Sequence, residues 1–203
     1  MPRTARYDGH ADWYEDWNRP HAAQYAAEVQ ELLGPGEGLC LDLGCGSGHY
    51  FGALAATGRT VVGLDYSADQ LRVAHLRSRL VVRGDAAALP FGDGTFGAVA
   101  TMWLSTDVDD FGAVIAEAAR VLRPGGVLGC YLAHPCFNGP HIEWLDDGGV
   151  RAHPTYRHAG WHRAAVVGFL RPGPGGDAAV PAGRPAQRPG PGRASHRARC
   201  GNW

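Results

Sequence analysis

An α/β fold, with a mainly parallel sheet covered by helices on both faces, is the fold class this sequence predicts. Three observations carry it. Short runs that are apolar throughout alternate with helical patterns between Leu39 and Leu132, and strands buried on both faces read that way. A glycine-rich turn, Gly44 to Gly48, follows the first run and opens a helix. An aspartate, Asp65, ends the second. Right-handed crossovers then leave a doubly wound, Rossmann-like sheet as the arrangement.

The elements follow in order. Tyr25, Val29, Leu32 and Leu33 recur at helical spacing, which predicts a helix over Ala22–Leu33 stopped by Gly34-Pro35. Leu39–Leu43 is a buried strand and Tyr50–Ala56 a short helix closing near Gly58. Thr60–Asp65, TVVGLD, is the second strand. Ser67 with Gln70 forms a capping-box start for a helix reaching about Arg77. Leu80–Arg83 and Thr95–Met102 are strands three and four. Asp110 caps a helix whose Phe111, Val114, Ile115, Ala118, Val121 and Leu122 share one face. Arg123-Pro124-Gly125-Gly126 breaks that helix, and Val127–Leu132 is strand five.

Composition narrows the class further. All 19 basic residues are arginine, against 20 acids, in a chain of 203 residues. No apolar run approaches the ~18 residues of a spanning helix, and the start, MPRTARYDGHADWYEDW, has no signal-peptide core. Five cysteines without a C-x-x-C pair indicate neither a disulfide framework nor a zinc ribbon. A cytoplasmic protein without membrane partners is expected.

Glycine and proline are concentrated at one end. From Arg171 to Trp203, 25 of 33 residues are Gly, Pro, Arg or Ala, with six arginines and one acid, Asp177. Such a segment buries too little apolar surface to offset its ordering entropy, so disorder is expected over 166–203. Residues 1–37 then form an N-terminal helical cap, and 38–165 the core. The arginines would suit a nucleic-acid arm, but they lack interleaved aromatics apart from Trp203. Out-of-frame translation of a GC-rich gene produces the same composition, and a frameshift near Val166–Arg171 is the favoured explanation. The sheet is accordingly expected to lack its last two strands, leaving strand five as an edge open to self-association.

LDLGCGSG, Leu41 to Gly48, is the central motif. Glycines let the backbone turn sharply and approach a ligand, while free amides at the helix start face the same space. The spacing is G-x-G-x-G; His49 stands where a dinucleotide fingerprint needs its third glycine, and no G-K-[ST] is present. Asp65 is placed to accept both ribose hydroxyls of an adenosine-type ligand.

LDLGCGSG, VVGLDYS, RGDAAALPFGDGTFGAV and EAARVLRPGGVL, in this order, resemble the class I S-adenosylmethionine-dependent methyltransferases of the type 11 kind. The resemblance covers about Tyr7 to Ala133. It implies S-adenosylmethionine as cofactor and a small-molecule methyl acceptor. By position, it places Gly44, Cys45 and Gly46 under the methionine and ribose, with Gly48 also in the cofactor site. Asp42 would orient the ammonium group, Asp65 would hold the ribose hydroxyls, and Tyr66 would lie against the adenine. Asp85 would accept from the adenine amino group, with Ala86 offering its backbone. Thr101 and Met102 would border the methionine moiety, and Tyr14, in a segment that closes over the cofactor, would complete the site. A sulfonium cannot donate a hydrogen bond, so acids and carbonyls suit the site. Arg59 is the one arginine between Leu39 and Leu71.

The substrate side is less marked. Methyl transfer needs alignment and water exclusion more than acid–base chemistry. Trp13, Tyr14 and Trp17 either close over the cofactor or pack an amphipathic helix onto the sheet. His134, with Cys136, Asn138 and His141 after strand five, is a candidate general base; a loop histidine bonded to backbone is the alternative. No metal is expected from these residues or from His153, His158 and His162. Asp107, Asp109 and Asp110 read as helix-capping acids. Cys45 has no paired base and is not read as a nucleophile. Three rivals stay open: a cofactor-binding but inactive remnant, a nicotinamide oxidoreductase, and an RNA methyltransferase using the basic tail.

Overall fold

A computed structural model describes residues 5–132, 142–145 and 149–154, all within the first of two units, Met1–Ala164. The elements in chain order are α1 (Ala11–Leu33), β1 (Leu39–Leu43), α2 (Phe51–Ala55), β2 (Thr60–Asp65), α3 (Ala68–Ala74), β3 (Val81–Arg83), β4 (Phe96–Met102), a 3₁₀ turn (Leu104–Thr106), α4 (Phe111–Val121) and β5 (Leu122–Tyr131). A short antiparallel pair, β6 (Ile142–Trp144) and β7 (Val150–Ala152), follows. The five long-range strands form one sheet in the order β3-β2-β1-β4-β5, every neighbouring pair parallel. This is the doubly wound arrangement, with the strand order reversing between β1 and β4. Among the described residues, no strand pairs with the far side of β5.

Side chains alternate along each strand, so each strand feeds two cores. On one face Cys40, Val61, Ala98 and Ala100 pack with Val29 and Leu33 of α1, Phe51 and Leu54 of α2, and Leu71 of α3. On the other, Leu41, Leu43, Leu64, Phe96 and Val99 meet Val114, Ala118 and Val121 of α4. Strand β4 is buried along its whole length, as expected of a strand with neighbours on both sides and helices on both faces.

Two expectations are corrected. The N-terminal helix starts at Ala11, not Ala22, and runs through Pro20. Its missing periodicity has a cause: Trp13, Tyr14 and Trp17 pack on one another and on Tyr7 and His21, so the first half is patterned by ring contacts and not by a core-facing apolar stripe. The second correction concerns Arg123–Gly126. These residues end α4 but lie within β5: Leu122 pairs with Phe96, and the ladder resumes with Val127 opposite Ala98. The chain makes its excursion there with Gly125 at φ +77°.

Candidate functional site

The glycine turn is built from both ends. The N–H groups of Gly44 and Cys45 both donate to the Leu64 carbonyl of β2, at 2.8 and 2.9 Å. Gly44, Gly46 and Gly48 have φ of +76°, +53° and +80°, values that L side chains rarely adopt. A Cβ on Gly44 would stand 2.8 Å from Leu104 Cδ1, and one on Gly48 would stand 2.5 Å from the Phe51 ring. The positive φ calls for glycine at both positions, and at Gly48 the Phe51 ring adds a steric reason. Cys45 is buried, and burial first, then the Asp42 and Asp65 carboxylates, push its thiol well above the usual range.

A cavity of about 310 Å³ opens at the carboxyl ends of β1, β2 and β4, where ligands bind in such sheets. Of the residues singled out from the sequence, it brings together Tyr14, Gly44, Gly46, Asp65, Tyr66, Asp85, Ala86 and Met102. Asp42, Cys45, Gly48 and Thr101 lie behind its wall: they are absent from the lining, and Asp42 and Thr101 are almost completely buried. His134, Cys136, Asn138, His141, His158 and His162 lie outside the described residues. His153 is described; its Nε2 lies 3.2 Å from Glu143 Oε2 on the β6–β7 pair. Among the described residues, no group of three or more His, Cys, Asp or Glu could hold a metal ion, and no helix is long and apolar enough to cross a membrane.

Electrostatically the site is acidic. Asp65 accepts the Gly46 N–H at Oδ2 and the Ser67 N–H at Oδ1, both at 2.8 Å. Its pKa is nonetheless raised, because burial outweighs those bonds. Among the described residues Asp42 has no partner for either carboxyl oxygen; burial first, then the Asp65 charge, raise its pKa to about 7. Asp85 turns back on its own chain, accepting the Ala87 N–H at 2.9 Å.

The sequence reading missed the roof. Arg6, Tyr7, Gln70, Trp103 and Leu104 all line the cavity. The Tyr7 hydroxyl donates to Asp107 Oδ2 at 3.1 Å, and Tyr7 meets Tyr14 edge to face. Asp107, read as a helix cap, is instead a cavity acid whose pKa is raised to about 6 by burial. Only Asp110 of that trio caps α4, accepting the Ala113 N–H at 2.9 Å. The strap bearing Tyr7 is fastened to α3: Gly9 and Ala11 donate their N–H groups to Asp69 Oδ2 at 3.0 and 3.2 Å, and Ser67 Oγ donates to Asp8 Oδ1 at 2.6 Å. Trp103, at φ +67°, is the one non-glycine residue described in the left-handed region. Its N–H donates to the Tyr131 carbonyl at 2.8 Å. No sequence period marks either feature, since both depend on contacts about 30 to 100 residues apart.

Comparison with known proteins agrees with this geometry. Residues 41–130 match the family model described as a methyltransferase domain. A demethylmenaquinone methyltransferase of Mycobacterium marinum is 42% identical over 96 residues, covering 47% of this chain and 41% of the relative. The Corynebacterium kroppenstedtii enzyme of the same name is 36% identical over 125 residues, covering 60% and 52%. The chain thus spans about half the length of these relatives. A SAM-dependent methyltransferase structure from Thermotoga maritima superposes with a TM-score of 0.53 at 27% identity, covering 61% of this chain and 58% of that one. Motif order, sheet order and matched span coincide: residues 41–130 are similar to a methyltransferase domain, and they lie on a Rossmann-like, parallel five-stranded sheet.

Proposed function

We propose that this chain binds S-adenosylmethionine in the cavity above β1, β2 and β4 and passes its methyl group to a small-molecule acceptor. One observation carries the reading. Among the described residues, five aspartates, Asp65, Asp85, Asp107, Asp109 and Asp110, line the cavity beside one arginine, Arg6. A sulfonium cation is attracted by such a wall, whereas the pyrophosphate of a nicotinamide dinucleotide is repelled by it. The orphaned Asp42 carboxyl behind the glycine turn fits the same positively charged ligand.

The cofactor supplies an electrophilic methyl group on sulfur. The residues of the chain bind and orient it. Gly44 and Gly46 allow close backbone approach, Asp65 takes the ribose hydroxyls, and Tyr66, Asp85 and Ala86 frame the adenine. Met102 borders the methionine moiety, Thr101 backs it from behind the cavity wall, and Cys45 and Gly48 shape the turn. Tyr7 and Tyr14 roof the site and keep water from the sulfonium. His134 is the candidate base for acceptors that must lose a proton; its replacement by alanine is expected to lower turnover and leave cofactor affinity unchanged.

The named relatives act on demethylmenaquinone, a small molecule, which supports the acceptor class. Calorimetry of the full chain with S-adenosylhomocysteine and with NAD tests the reading. Binding of the first and not the second is expected; the reverse preference would overturn it.

A further inference from the structure

Gln70 occupies the third position of α3, where a capping-box glutamine ordinarily reaches back to the N–H of the capping residue. Half of that box is present: Ser67 Oγ accepts the Gln70 N–H at 3.2 Å. The other half is pre-empted, because the Ser67 N–H already donates to Asp65 Oδ1 at 2.8 Å. The Gln70 side chain is thereby released from its local role. It is 2% exposed, it lines the cavity, and neither Oε1 nor Nε2 has a partner among the described residues.

Its position is set by the glycine turn. A Cβ built on Gly46 would stand 3.8 Å from Gln70 Oε1 and 3.6 Å from Tyr14 Cε1. The amide and the Tyr14 ring therefore flank Gly46, whose N–H is held by Asp65 at 2.8 Å. Leaving both halves of a buried amide unpaired is unfavourable, so the chemistry of the complementary group can be stated. An amide offers a donor and an acceptor together. An ammonium only donates, a carboxylate only accepts, and an alkyl sulfonium does neither. A hydroxyl does both, as does the adenine edge. The adenine is assigned to Tyr66, Asp85 and Ala86, whereas Gln70 lies beside Gly46, which Asp65 holds, and a vicinal diol can serve the amide and the Asp65 carboxylate at once.

We infer that the Gln70 amide is a second hydroxyl-binding group beside Asp65, pairing with the ribose diol and making the site selective for ribo- over deoxyribonucleosides. This rests on the reading of the cavity as an S-adenosylmethionine site. Gln70 adds a neutral donor and acceptor to a carboxylate that can only accept, so it senses the hydroxyl oxygen as well as its proton.

The test measures binding of S-adenosylhomocysteine and its 2′-deoxy and 3′-deoxy forms to the full chain, wild type and Gln70→Met, by calorimetry. Gln70→Met keeps the volume and removes both polar atoms. Wild type is expected to prefer the ribo form. Gln70→Met is expected to bind that form roughly five- to tenfold more weakly, in the range of one neutral hydrogen bond, while the loss shrinks to less than twofold for at least one deoxy form. Gln70→Leu, which also removes both polar atoms, is read the same way and decides the matter if the methionine variant does not fold. Equal affinities for wild type and variant, or an equal loss for all three ligands, would overturn the role of Gln70 and leave the cofactor reading intact. A wild type that binds none of the three would overturn both.

Discussion

Asp65 and Gly46 are joined by a 2.8 Å hydrogen bond from the Gly46 N–H to Asp65 Oδ2, across 19 residues of sequence. The bond ties the end of β2 to the turn after β1, so one carboxylate fixes the glycine loop and faces the cavity. Structure and binding are coupled in it.

Asp65→Ala is accordingly expected to weaken S-adenosylhomocysteine binding by roughly 1–3 kcal/mol, the range for unmatched buried polar partners. Asp65→Asn keeps an acceptor and should lose less. Calorimetry of both variants beside wild type checks this; an unchanged affinity for the alanine variant removes Asp65 from the site.

Gly46→Ala tests the turn itself. A Cβ there meets nothing closer than 3.6 Å, so space is not the obstacle; the φ of +53° is. A strain of about 1–2 kcal/mol is expected, read as a lower midpoint in urea unfolding. Binding should also weaken, since the methyl group enters the ligand's side of the loop. Gly52→Ala, with open space and no positive φ, is the control and should not lower the midpoint.

The central strands were legible because they are apolar and largely buried, β4 along its whole length. Leu39–Leu43 and Thr60–Asp65 have the predicted bounds, and Ser67 and Asp110 cap the helices they were expected to cap. These are local signals: an apolar run, a capping side chain three residues from its target. Tyr7, Asp107 and Gln70 were not legible. Tyr7 meets Asp107 across 100 residues, and Gln70 looks like an ordinary capping-box residue until Asp65 is seen to hold its target N–H. The start of α1 was missed for a related reason, its rings being satisfied by one another.

Asp110→Ala removes the cap of α4 and leaves the Ala113 N–H to water. A loss of about 1 kcal/mol is expected, measured by denaturant unfolding. Asp109→Ala lacks that cap role and should cost less; equal losses would show that the cap contributes nothing particular.

Glu15 joins α1 to the residues around the glycine turn. It bonds to Arg77, whose Nη1 also donates to the Ser47 carbonyl at 2.9 Å, and its Oε2 lies 3.0 Å from His49 Nε2. Burial raises the Glu15 pKa, but the Arg77 hydrogen bond and the neighbouring charges outweigh it and hold the carboxyl below its usual value. A depressed carboxyl pKa gives stability that is present above the unfolded value and lost as pH falls through the folded one. Glu15→Gln should therefore cost roughly 1 kcal/mol at pH 7, with the difference from wild type fading below about pH 4. A difference independent of pH would assign the effect to packing.

Asp42 has the opposite sign. Its folded pKa is raised to about 7 from the ordinary 3.8, so the folded state binds more protons than the unfolded chain between those values. Stability contributed through this group falls as pH rises across that window. Asp42→Asn keeps the shape and cannot ionise, so it should stabilise the free protein at pH 8 by roughly 1–3 kcal/mol, the scale of an unmatched buried polar group. The two proteins should converge below about pH 3, where the wild-type carboxyl is protonated in both states. Cofactor affinity should move the other way, because the asparagine cannot offer a negative charge to the ligand's ammonium group. Thermal unfolding from pH 3 to 8, with S-adenosylhomocysteine calorimetry at pH 8, reads both effects. A variant less stable than wild type at pH 8 would mean that the Asp42 carboxylate is paired in the folded protein and not orphaned.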